Sequence, residues 1–196
     1  MLDISLAISQ LPNTTEVHVI AVDNECKELL FKMESGVEPK KEPSIHCVNL
    51  KKNGENEYFT FKRTEENDSG CIFADSLHSY LYEPNVSILK AGAYRCLTQH
   101  YAIYKLHPNS HLYTSDIYIP DFSGRIFHVK DSFSLSKKES KQSLSGLTQA
   151  NISVRNFPLT VNELRKKTGL KEGGEFYLFA TTLQNDKRVI IKCKKL

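Results

Sequence analysis

Glycine motifs for nucleotide binding are missing from this chain of 196 residues. Neither G-x-G-x-x-G nor G-x-x-x-x-G-K-[ST] occurs, and no glycine cluster lies between a strand and a helix in the first half. The chain therefore offers no recognisable cradle for a nucleotide or cofactor. No apolar run reaches the ~18 residues that a membrane span needs. The opening MLDISLAISQLP has no basic stretch and carries Asp3, which argues against a secretory signal and makes the cytoplasm the expected compartment. The five cysteines (Cys26, Cys47, Cys71, Cys96 and Cys193) are odd in number and form no C-x-x-C pair. That spacing disfavours a disulfide framework and a cysteine-rich zinc site, and suits reduced thiols.

What is present describes an ordinary globular protein: 40% hydrophobic and 25% charged residues, in a length that fits one domain or two to three small ones. The charge is unevenly placed. Val129–Leu196 holds 14 Lys and Arg against 6 Asp and Glu, a balance of +8, whereas the whole chain carries only +3. Such a split points to an anionic partner for one end, most often nucleic acid, although a solvated basic face would look the same by composition.

Periodicity sketches the elements. Apolar residues at 4, 6, 7, 8 and 11 suit a short helix stopped by Pro12. Glu16–Val22 reads as a strand, Met33–Pro43 as a loop, and Ile45–Leu50 and Tyr58–Arg63 as two more strands about the turn at Lys52–Glu55. A helix running straight into a strand resembles the middle of an α/β repeat, so Met1 is not expected to be where the fold begins. Thr64–Gly70 reads as an acidic linker. Asn85 can cap a helix over Val86–Leu97, Tyr101–Leu106 suits a short strand, and Ile119–Gly124 is a second connector.

The end of the chain has the clearest pattern. Arg125–Lys130 reads as a strand, Lys137–Leu147 as a helix, Asn151–Asn156 as a strand and Val161–Thr168 as a helix, with Glu175–Leu183 and Arg188–Cys193 forming a hairpin across Gln184–Lys187. Ser136 with Glu139 and Thr160 with Glu163 are capping-box pairs, and Gly169 is placed to end the second helix. The order is βαβαββ.

Few residues invite catalysis. His107 and His111 have a helical metal-ligand spacing, but Pro108 favours a turn there and no third ligand is near in sequence. Cys26 sits between Asp23 and Glu25, whose charges oppose a thiolate despite Lys27. Asn24, Glu25 and Lys27 close a strand, a position where α/β sheets bind ligands and also where ordinary loops begin. Tyr82-Glu83-Pro84-Asn85 has the wrong order for an amino-methyltransferase motif, and helix capping with the helix dipole accounts for Glu83 and Asn85. No catalytic, cofactor-binding or metal residue is therefore assigned. The candidate binding set is basic: Lys137, Lys138, Lys141, Arg155, Arg165, Lys166, Lys167, Lys171, Lys187 and Arg188. Point charges on rigid elements can neutralise phosphates and release counterions. Phe157, Phe176, Tyr177 and Phe179 are available for base stacking, although half of those in a strand must face the core.

Three segments carry a family resemblance: VDNECKELLF at 22–31, YEPNVSILKAGAY with LHPNSHLYTSD at 82–94 and 106–116, and NFPLTVNELRKKTGLKEGGEFYLFATTL at 156–183. Together they resemble the C-terminal half of class I S-adenosylmethionine-dependent methyltransferases with a THUMP-like domain. The resemblance implies an α/β and α+β layout in three parts: residues 1–66 as the end of a Rossmann-like sheet, 71–122 as a ferredoxin-like unit, and 123–196 as the THUMP-like module. It also implies RNA, tRNA or rRNA, as partner. The family's cofactor-binding half would precede Met1. S-adenosylmethionine is thus expected for a full-length protein and not for this chain, which by itself should neither bind it nor methylate. The competing expectation is a protein-interaction module without nucleic-acid binding.

Overall fold

The computed structural model describes residues 4–35 and 42–196. They divide into two compact units, one holding the chain up to Cys71 with Pro84–His100, the other Ile72–Glu83 with Tyr101–Leu196.

The first unit begins with α1 (Ile4–Gln10), which ends before Pro12. Strands β1 (Thr14–Val22), β2 (Glu25–Met33), β3 (Ser44–Leu50) and β4 (Glu57–Phe61) form a sheet in the order β2-β1-β3-β4. β1 runs parallel to β3, and the other two pairings are antiparallel. Side-chain alternation buries Val17, Val19 and Ala21 with Ile45, Cys47, Phe59 and Phe61. Helix α3 (Val86–Ala91) packs on this sheet and buries Ile88.

Three expectations for this unit need correction. The expected strand end at Asn24, Glu25 and Lys27 is instead a turn leading into β2, a strand that its own sequence pattern does not mark. Its cue is Asp23-Asn24, both at positive φ (49° and 62°), the backbone of a two-residue hairpin turn that Asn and Asp tolerate. Met33 closes β2, and positions 36–41 of the expected loop lie outside the described residues. The acidic "linker" at 64–70 is largely helix α2 (Arg63–Asp68). Its Glu66 is buried because its carboxylate accepts the backbone N–H groups of Tyr94, Arg95 and Cys96 at 2.9–3.1 Å, closing the start of α4 (Cys96–His100). The expected helix over 86–97 is two helices, because Gly92 (φ 78°) ends α3 in the left-handed conformation. Its cap is as expected: Asn85 Oδ1 accepts from the N–H groups of Ser87 and Ile88 at 3.1 and 3.3 Å.

The second unit is built on a seven-stranded sheet. Its strands are β5 (Tyr80–Pro84), β6 (Tyr104–Lys105), β7 (Tyr113–Ser115), β8 (Gly124–Phe133), β9 (Asn151–Arg155), β10 (Phe176–Thr182) and β11 (Arg188–Lys195). They lie in the order β6-β7-β5-β8-β11-β10-β9. With α5 (Lys137–Ser143) and α6 (Val161–Thr168), residues 124–195 follow the expected βαβαββ order. β5 and β7 were not anticipated. Both are short, and their pairing joins Tyr80 to Ser115 across 35 residues, which no local pattern announces.

Each face of this sheet has its own core. Leu178, Ala180 and Ile190 pack with Leu164 of α6, Leu170 and Phe133, with Leu144 and Leu147 after α5 alongside. The opposite face packs Phe127, Phe179, Val189, Ile191 and Cys193 against Leu81, Leu106 and Leu112. Thr160 and Glu163 form a complete capping box, and Gly169 (φ 71°) ends α6. At α5 only half the expected box forms: Ser136 accepts from Glu139 N–H, while the Glu139 carboxylate accepts from Ser134 N–H at 2.8 Å.

Candidate nucleic-acid interface

Leu164 of α6 belongs to the core on one face of the sheet, and Leu135, Leu144 and Leu147, which flank α5, pack against the same core, so both helices lie on that face. Lys137, Lys138 and Lys141 are exposed on α5, and Lys166 and Lys167 on α6. Lys171 is exposed beyond α6, and Lys187 and Arg188 are exposed at the β10–β11 turn. Among the described residues none of these eight makes an ion pair. Ser134 above all, and Lys187 more weakly, hold the Glu139 carboxyl below its ordinary value, which ties the hairpin to the start of α5. Eight exposed cations on rigid elements can meet phosphates without first breaking a direct ion pair.

The remaining two of the ten are used internally. Arg155, on edge strand β9, places a guanidinium nitrogen 2.7 Å from Glu83 Oε1, and Arg125 contacts Glu83 Oε2. Glu83 is only 3% exposed, so the pair of arginines neutralises a carboxylate withdrawn from water. Glu83 therefore answers to two arginines and not to the dipole of α3. Arg165 sits half-buried, reaching the carbonyls of Ala150 and Leu170 at 3.4 Å and lying 3.8 Å from Glu172. Sequence spacing could not separate these two from the solvent-facing lysines, because their partners lie in other elements.

The aromatic set divides as alternation requires. Phe179 is fully buried, Tyr177 packs toward the same core, Phe157 packs toward the other, and Phe176 is partly exposed.

Other candidates resolve into structural roles. His107 and Asn109 form a turn in which the ring Nδ1 accepts from Asn109 N–H at 3.0 Å, and Asn156 is 2.9 Å from the same nitrogen. Asn24 is committed at both ends: its N–H donates to Asn49 Oδ1, and its Oδ1 accepts from Val86 N–H. Lys27 pairs with Glu25 at 2.8 Å. Tyr82 donates to Ile117 O at 2.6 Å, and burial pushes its hydroxyl up to about 12. Burial likewise raises Cys47 and Cys193 to about 12, and raises Cys96, which keeps these thiols protonated and poor nucleophiles at neutral pH.

One donor cluster escaped the sequence reading. Pairing of β1 with β3 sets His18 beside His46, with stacked rings 4.7 Å apart, and Glu16 Oε2 lies 3.0 Å from His18 Nε2 and 3.8 Å from His46 Nε2. These three donors lie within 4.8 Å of one another, close enough to converge on a divalent ion. Lys32 already holds the other carboxylate oxygen at 2.8 Å, so the carboxylate's charge is met without a metal. Only the parallel register, invisible in the sequence, joins residues 18 and 46.

Comparison with known proteins adds the wider frame. Residues 80–122 match a ferredoxin-like domain, and residues 124–195 match a THUMP domain-like family. The crystal structure of a proposed methyltransferase from Porphyromonas gingivalis W83 is similar, with a TM-score of 0.87 and 38% sequence identity over 96% of this chain and 47% of that one. This chain thus spans about half the length of the structure it matches. No curated protein matches it.

Proposed function

Since this chain carries a ferredoxin-like domain at 80–122 and a THUMP-like domain at 124–195, we propose that it is the RNA-binding, substrate-positioning part of an S-adenosylmethionine-dependent RNA methyltransferase. The observation that carries this reading is the set of eight exposed cations on and beside α5 and α6, none of which makes an ion pair among the described residues. The likeness to a proposed methyltransferase supplies the enzymatic context. The described residues have no glycine-rich strand-to-helix turn to hold S-adenosylmethionine. Their left-handed glycines, Gly54, Gly92, Gly146, Gly169, Gly173 and Gly174, lie in turns and at helix ends. No chemical step is therefore assigned to this chain's own residues, and its task is to grip and orient an RNA.

The four-stranded sheet supports the Rossmann-like part of this reading. β2 is an edge strand that pairs, among the described residues, only with β1, and it leaves Leu30 and Met33 about half exposed. A sheet edge of this kind can be continued by a further strand. The same exposed surface favours the second reading, a protein-docking module.

Salt dependence separates the two. Phosphate-led binding should weaken more than tenfold between 50 and 300 mM salt if about three phosphates are neutralised. Fluorescence anisotropy with tRNA or rRNA fragments measures this, and affinity equal at both salts would remove the RNA reading. Reversal of Lys138, Lys141, Lys166 and Lys167 to Glu should abolish RNA binding while shifting the thermal midpoint only slightly, since these side chains are exposed and make no ion pair among the described residues. RNA affinity untouched by that change would favour protein docking.

A further inference from the structure

The sheet face that carries α5 and α6 extends beyond them as an open stripe of rings. Phe176 on β10 lies directly opposite Lys194 on β11, and Lys194 lies opposite His128 on β8. The His128 ring meets Tyr80 on β5 edge-on at 5.5 Å, and Tyr80 meets Tyr118 at 5.6 Å. Alternation puts Phe176 on the side of Leu178 and Ala180, and Lys192 and Lys194 on the side of Ile190, so this stripe and the helices share one side of the sheet. Lys192 confirms the adjacency by donating to Ser143 O at the end of α5. Phe176, His128 and Tyr80 are partly exposed, and Tyr118 is 47% exposed.

Cations are interleaved with the rings. The ammonium groups of Lys192 and Lys194 lie 4.8 and 5.0 Å from the Phe176 centroid. Lys194 also pairs with Glu175 at 2.8 Å, but both side chains are largely in water, and such a pair is easily exchanged for a phosphate. A row of partly exposed rings ending in an exposed tyrosine is a surface that an occupant can cover. Rings crossed by lysines suit an occupant that presents flat π-faces and anionic links at a regular spacing. Phe176 to Tyr80 covers three strand spacings, about 14 Å, enough for two to three stacked nucleotides.

We propose that Phe176, His128, Tyr80 and Tyr118 form a stacking platform for an unpaired RNA segment, with Lys192 and Lys194 meeting its phosphates. This deepens the RNA reading above and rests on it. It assigns the helical lysines to general backbone attraction and the sheet stripe to preference for single strands, since the bases of a duplex are not free to stack on protein rings.

The test compares a labelled single-stranded ten-nucleotide RNA with a blunt ten-base-pair RNA duplex, using the full chain at fixed salt. Tyr118→Ala and Tyr80→Leu should each lower single-strand affinity about tenfold and leave duplex affinity unchanged. Lys138→Glu with Lys167→Glu should lower both. Ultraviolet cross-linking of the unaltered protein is independent of any folding defect, and its adducts should map to peptides containing Tyr80, Tyr118, His128 or Phe176. Single-strand affinity unchanged in the tyrosine variants, adducts confined to α5 and α6, or equal binding of an acidic peptide would each overturn the platform while the broader RNA reading could stand. Failure of the unaltered chain to bind either RNA would overturn both.

Discussion

Helix α6 of the THUMP-like region and helix α4 of the first unit are closed in opposite ways. At α6, Thr160 and Glu163 satisfy each other's backbone three positions apart, and Gly169 ends the helix one residue past it. In the first unit, the N–H groups that open α4 are satisfied by Glu66, about thirty residues earlier. Asn24 accepts from Val86 N–H across 62 residues, and Asn85, the cap of α3, also donates to Glu57. Local closure costs little chain entropy and survives as a fragment. Remote closure forms only when the whole unit is assembled, so each such residue ties several elements together. Substitutions should therefore be tolerated in one region and cooperative in the other.

The strongest way to break that comparison is Glu66→Ala. It leaves three backbone donors of a buried turn without their anion, and should cost about 3 kcal/mol. Urea unfolding measures the loss, and hydrogen exchange should show faster opening at Cys96 and Leu97 together with β3 and β4. A loss confined to α4 would mean that the first unit is not tied together as described. Next in size is Asn85→Ala, which removes a cap bonded to two N–H groups as well as the link to Glu57, at about 2 kcal/mol. Thr160→Ala should cost only about 1 kcal/mol, with faster exchange limited to the first turn of α6. An equal loss for Thr160→Ala and Glu66→Ala would erase the distinction.

The same contrast governs what could be read from the chain. Residues 124–195 announce their elements because each signal and its partner fall in one short window: Ser136 with Glu139, Thr160 with Glu163, and Gly169 after the last turn. Apart from the Asn85 cap, the first unit hides its own. Glu66 looks like a linker acid until the fold brings Tyr94–Cys96 to it. The Asp23-Asn24 turn was visible in principle, but the charged residues of β2, an exposed edge strand, mask its alternation. The candidate interface was half legible. Composition marks the basic region, yet only tertiary contacts separate Arg155 and Arg165, which are paired within the fold, from the exposed lysines. The aromatic stripe was less legible still, because it joins residues 80, 118, 128 and 176 through strand pairing.

The smallest effect sharpens the comparison through pH. The Glu163 carboxyl is held below its ordinary 4.5, first by hydrogen bonds from Thr160 and then by the nearby charges of Lys167 and Lys166. A carboxyl whose value is depressed by folding adds stability that is complete above its unfolded value and is lost as pH falls through its folded value. The capping box should therefore help the THUMP-like region at pH 6 and fade below about 4.5. Thermal midpoints of the native protein and of Glu163→Gln should differ slightly at pH 6 and converge as pH falls below the folded value of the carboxyl. High salt should shrink only the part due to the lysines, leaving the hydrogen-bonded part in place. A gap that widens in acid would show that Glu163 is stabilised by something other than its ionised cap. A gap abolished by salt would assign the effect to the lysine charges, and those same charges would then be partly spent within the fold.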